Sequence, residues 1–181
     1  MHTRNPGHYY PKYKLALVGL LAVDVFFYAA TDTLTSTLDA LTWLLLLIMF
    51  ELETLHLPVL PSAKQIRMIR NLLIVIIGGV FLSYVESKEW LDVINAVLWF
   101  ILIALLELEI RRQPLVAQYR ALHKTATLTV FGGLIGMVFA WAWQSAWLDA
   151  YDAVLWIAAF GAIEVDIIQF LSLNPEQPPT H

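Results

Sequence analysis

The residues best able to do chemistry in this 181-residue chain are carboxylates within or at the ends of apolar segments. Asp24 stands in Ala22-Val23-Asp24-Val25-Phe26. Three acidic pairs, Glu51/Glu53, Glu107/Glu109 and Glu164/Asp166, lie near the ends of three other apolar runs. An ionised carboxylate in hydrocarbon is costly, so each such group calls for a proton, a cation or a basic partner. Residues two apart on a helix point about 160° away from each other, so only one acid of each pair can face a given interior. Arg67, Arg70, Arg111, Arg112 and Lys124 lie in the segments joining the apolar runs and are the candidates for structural pairing. Left unpaired, Asp24, Glu51, Glu53, Glu107, Glu109, Glu164 and Asp166 are candidates for binding an ion or a proton, Asp24 foremost.

Other chemistries lack their residues. The histidines are His2, His8, His56, His123 and His181, all outside the apolar runs, which excludes bis-histidine haem in a bilayer. Glu53-Thr54-Leu55-His56 has the spacing of a di-iron helix string, but the positions matching His56 are Arg112 and Gln169, so the second string is missing. There is no cysteine, hence no disulfide, thiolate metal site or cysteine nucleophile. Gly-rich phosphate loops, serine nucleophile elbows and His-Glu-x-x-His helices are absent from the sequence. We expect no cofactor, no metal and no enzymatic activity. A net charge of −4 and a pI near 5.7 exclude a basic nucleic-acid binder.

The elements that must position the acids follow from composition. Hydrophobic residues are 59% and charged residues 14% of the chain, against about 45–50% and about 25% in globular domains. Mean hydropathy is +0.67. A soluble fold of this size could not bury that surface, so the sequence predicts an integral membrane protein. Apolar blocks fall at roughly 15–31, 37–55, 70–85, 90–110, 125–146 and 148–171. Each approaches the roughly 20 residues needed to cross a bilayer as a helix. The first block also has the flanks of a signal peptide, but the repeat below requires it as a helix. No proline interrupts a block. Ten of the eleven basic residues fall before the first block or between blocks two and three and blocks four and five, leaving Lys88 alone on the other side. The positive-inside rule then puts both termini in the cytoplasm. The opposite turns are acidic: Asp32, Asp39, Glu86, Glu89, Asp92, Asp149 and Asp152. Glu107 lies fifteen residues past Asp92, about 22 Å along a helix, so the pairs sit near the cytoplasmic boundary.

One pattern occurs three times. Asp39-Ala40-x-x-Trp43, Asn95-Ala96-x-x-Trp99 and Asp152-Ala153-x-x-Trp156 are each followed eight residues later by an acidic pair, with Trp-to-Trp periods of 56 and 57. An aromatic, Tyr28, Tyr84 or Trp141, stands fifteen residues before each tryptophan. The pattern implies an all-α polytopic membrane protein of six transmembrane helices, built as three tandem helical hairpins with a pseudo-threefold internal repeat. The repeats run approximately 12–57, 65–112 and 122–171 within a single membrane domain, 1–181, and 174–181 is expected to be a flexible tail. Val80 and Met137 match Asp24, which is therefore unique to the first repeat. Gly19, Gly78-Gly79 and the Gly132-x-x-x-Gly136 pair suggest close packing of the odd-numbered spans. Trp90, Trp147, Tyr84, Trp141 and Trp143 read as an interfacial aromatic belt.

Two functions fit. The first is a non-catalytic accessory or scaffold subunit of a membrane assembly, since almost no mass lies outside the spans. The second is a cation- or proton-linked channel or transporter using the intramembrane carboxylates. The expected partners are the lipid bilayer and other membrane subunits or further copies of the chain. Short loops and no targeting peptide suit a bacterial inner membrane.

Overall fold

The computed structural model describes the backbone over residues 12–55 and 63–173, and side-chain surroundings over 13–49, 64–109 and 111–161. The described residues form α1 (Lys12–Thr31), α2 (Leu34–Leu55), α3 (Ala63–Ser87), α4 (Trp90–Arg111), α5 (Gln113–Gln118), α6 (Arg120–Trp143) and α7 (Trp147–Leu173). The six apolar blocks correspond to all of these except α5. That short helix replaces an expected loop: Pro114, in its first turn, has the backbone angle a helix start requires and needs no donor there. The tail 174–181 lies outside the described residues.

The turns explain where the long helices stop. Lys88 and Ser145 both have φ 62°, the left-handed conformation. After α3, the Lys88 and Glu89 amides donate to Val85 and Tyr84 carbonyls (3.3 and 3.0 Å). After α6, the Ser145 and Ala146 amides donate to Ala142 and Trp141 carbonyls (3.1 and 3.0 Å). These are two Schellman caps at positions 57 apart. The second ends α6 at 143, short of the apolar block that continues to 146. The first turn differs: Thr33 caps α2, its Oγ1 accepting the Ser36 amide at 3.1 Å.

The long helices close into a ring. α1 packs on α2, α2 on α3, α3 on α4, α4 on α6, α6 on α7 and α7 on α1. Its core holds Leu21, Leu102 and Leu134, each at most 1% exposed, with Leu44, Leu47, Trp99 and Trp156. The inward stripe of α1 is Leu21, Asp24 and Tyr28; of α3, Ile77, Val80 and Tyr84; of α6, Leu134, Met137 and Trp141. All nine are buried, at the three- and four-residue spacing that keeps one helix face inward.

The outside of the ring is apolar. Phe26, Val75, Leu82 and Phe139 are each at least 66% exposed, among many such side chains. Contiguous exposure of this kind belongs to a surface covered by lipid or protein. Among the described residues α1, α3, α4 and α6 are long and apolar enough to cross a membrane, and the apolar stretch of α2 spans Leu34–Met49. An all-helical membrane protein is the architecture these facts support.

Two packing expectations change. Gly19, Gly78, Gly79, Gly132 and Gly136 have open space where a side chain would project, so they do not bring the odd spans together. Gly132 and Gly136 each lie two residues from buried Leu134, about 160° round the helix, and face outward. Gly133 is the one in close contact, 3.1 Å from the Leu98 side chain to an added Cβ. Tyr84 and Trp141 also leave the expected belt: both are buried, whereas Trp90, Trp143 and Trp147 are exposed.

Candidate functional site

The end of the ring that carries the 31–34, 87–90 and 143–147 turns contains a cavity of about 60 Å³. Its walls are built from repeat-equivalent positions. Ser36, Asp92 and Asp149 come from the first turns of α2, α4 and α7; Tyr28, Tyr84 and Trp141 come from α1, α3 and α6; Trp43, Trp99 and Trp156 form the aromatic floor. Asp39, Ala40 and Asp152 complete the lining. The Trp156 ring meets Trp43 and Trp99 edge-on, with centroids 6.2 and 6.3 Å away.

Local helix geometry accounts for the Asp-Ala-x-x-Trp spacing. Residues four apart are neighbours on one helix face. That spacing places Trp43 one turn from Asp39 and Trp156 one turn from Asp152, and all four side chains line the cavity. Ala40 and Ala153, both buried, allow the next helix close to the same face. Tyrosines supply the cross-links between helices. Tyr28 donates its hydroxyl to Asp149 Oδ1 at 2.8 Å, joining α1 to α7, and Tyr84 donates to Asp39 Oδ2 at 3.1 Å, joining α3 to α2. The third aromatic, Trp141, makes no such bond among the described residues.

Asp24 lies beside this cavity, 1% exposed on α1. Neither of its oxygens has a hydrogen-bond partner, and Asp152 Oδ1 and Asn95 Oδ1 are likewise buried and unpartnered. The Asp152 carboxyl is the group within side-chain hydrogen-bonding reach of Asp24. Two carboxylates cannot bond to each other without a proton between them. The lining therefore presents four carboxyl groups, a fifth behind them, and no basic side chain. Lys88, in the nearby turn, is exposed and outside the lining. No three acid or histidine side chains among the described residues gather closely enough to hold a metal ion.

The other sequence candidates are placed elsewhere. Glu107 is 52% exposed and pairs with Arg111 one turn on, at the opposite end of α4. Glu109 is half-buried, and Arg67, Arg70, Arg112 and Lys124 are exposed. His123 bonds the Leu105 carbonyl at 3.1 Å, tying α6 to α4. The side chains of Glu51, Glu53, Glu164 and Asp166, and all of His56, lie outside the described residues. Of the carboxylates proposed from sequence, Asp24 is thus the one beside the cavity among the described side chains. Asp39, Asp92, Asp149 and Asp152 are legible in the sequence as acidic turn residues but not as a site. The repeated pattern marks two of them: Asp39 and Asp152, its three tryptophans and its three upstream aromatics line the cavity, whereas Asn95, at the matching position of the middle copy, does not.

The chain matches no family model, no curated protein and no solved structure.

Proposed function

We propose that this protein is a six-crossing membrane protein of three helical hairpins that carries or admits a cation, with or without coupled protons, through the acidic cavity. The observation that carries the reading is an interior polar site with carboxyl groups in its lining, Asp24 close behind Asp152, and no base in the lining to neutralise them. Buried carboxyl groups of like charge held close together require either a proton or a cation between them. A purely structural cluster would be expected to include its counter-charge, as Glu107 has Arg111. The closed order of helices and the matching inward stripes support three equivalent hairpins.

The distribution of basic residues supports cytoplasmic termini, with the cavity toward the external face of a bacterial inner membrane. The Leu21, Leu102 and Leu134 layer lies in the core, and passage through it would require the ring to loosen or rock.

The test is flux in proteoliposomes containing the full chain. Cation-dependent flux or pH change across the vesicle, lost in Asp24→Asn and Asp152→Asn, is the expected result. Parent protein that is folded and silent for monovalent cations, organic cations and protons would overturn the reading. The alternative, a non-catalytic accessory subunit, is favoured by the outward-facing glycines, which leave room for another helix to approach. Stoichiometric co-purification with a second membrane protein, together with no flux, would select it.

A further inference from the structure

The cavity's chemistry narrows the class of cation, and the narrowing rests on the reading of this cavity as a cation site. We propose that its ligand is a small primary alkylammonium, seated with its nitrogen against the Asp152 carboxyl and its carbon against the tryptophan floor.

Four features point there. First, charge: the lining is acidic and holds no base, so it favours an occupant of positive charge. Second, spacing: the acids are distributed over α2, α4 and α7 and do not gather into a group able to chelate a metal ion. A dehydrated metal ion needs several convergent oxygens at short range, whereas an ammonium can be held by one carboxylate and give its remaining N–H groups to water or neutral acceptors. Third, an acceptor without a donor: Asp152, in the lining, has one buried and unpartnered oxygen, and Asp24 outside the lining has both oxygens unpartnered. Asp24 is only 1% exposed and is a close neighbour of Asp152 of the lining. Buried acceptors of this kind are completed by a donor-rich guest, and a quaternary ammonium has no N–H to give. Fourth, the walls: tryptophan faces attract weakly hydrated organic cations more than strongly hydrated inorganic ones. The volume, about 60 Å³, exceeds the roughly 10–15 Å³ that one water needs, and limits the guest to a head group of a few heavy atoms.

Tryptophans at the floor supply the readout. The full chain in detergent is titrated with methylammonium while indole emission is recorded. Tetramethylammonium, sodium and the diamine putrescine are run at matched ionic strength. Saturable change with methylammonium, and none with tetramethylammonium or sodium, is expected. Putrescine acting at lower concentration than methylammonium would assign the natural source to a longer amine whose end enters the cavity; equal or weaker action would assign it to a small monoamine. Asp152→Asn should weaken the apparent Kd at least tenfold, while Arg112→Gln, at the far end, should leave it unchanged. Because Asp152→Asn could perturb folding, the parent protein is also treated with a hydrophobic carbodiimide. Methylammonium should suppress modification of Asp152 while sodium does not. A response to sodium alone would overturn the ammonium assignment and leave the cation-site reading standing. No response to any of the cations, in emission or in protection, would overturn both.

Discussion

Asp24 shows most directly how position sets the cost of a common side chain. The positions matching it in the other two repeats are Val80 and Met137, both buried, so an apolar residue is what this place in the ring accommodates. A carboxyl with no donor on either oxygen costs stability there, by about 1–3 kcal/mol for a buried unsatisfied group. Asp24→Asn removes one charge and gives Asp152 an N–H donor. It should therefore raise the thermal midpoint of the purified protein while abolishing flux, a trade between stability and function. A lowered midpoint would show that Asp24 is held by interactions of its own. Tyr28 makes the complementary case. Its hydroxyl bonds Asp149 inside the bundle, and such bonds between membrane helices are worth about 1 kcal/mol. Tyr28→Phe should lower stability by about that amount, measured by denaturation in mixed micelles. Asp149→Asn keeps an acceptor oxygen and should cost much less.

The helices themselves are largely legible in the sequence, and the reason is physical. A bilayer demands about 20 apolar residues per crossing and internal satisfaction of every backbone group, so length and proline placement suffice to find the spans. Ends are less legible, because Lys88 and Ser145 stop their helices by adopting a left-handed conformation that neither residue type advertises. Both positions favour glycine. Ser145→Gly and Lys88→Gly should each raise stability by about 1 kcal/mol, readable as an increase in thermal midpoint. No rise at either site would mean that its side chain makes a compensating contact. Facing is legible only in part. The repeat picks out the inward tryptophans, whereas the glycines suggest interfaces that the ring does not use. Hydropathy is blind to this difference, since lipid and protein neighbours are equally apolar. Among the described residues the contacts that hold the ring are large side chains such as Leu102, and Leu102→Ala should cost about 2–5 kcal/mol.

At the scale of the whole molecule, the cavity exists only because the chain's first and last long helices meet. Tyr28 and Asp149 are 121 residues apart in sequence, and their bond closes the ring between α1 and α7. The acidic pairs near the ends of the second, fourth and sixth apolar blocks stand out in the sequence by the cost they would have in lipid, yet Glu107 there is exposed and paired with Arg111. The cavity's acids instead come from separate helices, a property that one helix's pattern cannot reveal. That origin on separate helices makes the arrangement testable through topology. If three hairpins stand side by side in the bilayer, the turns near Asp32, Glu86 and Gln144 share one side, and Arg112 and Lys124 share the other. The chain has no cysteine, so single-cysteine variants carry no background. Asp32→Cys, Glu86→Cys and Gln144→Cys, all at exposed positions, should each react with a membrane-impermeant maleimide on intact cells. Arg112→Cys and Lys124→Cys should react only after the membrane is opened. Labelling that splits the first three positions between the two sides would break the parallel hairpins. The cavity could not then be assembled from equivalent positions on one face, and the cation reading would lose its geometric basis together with the fold.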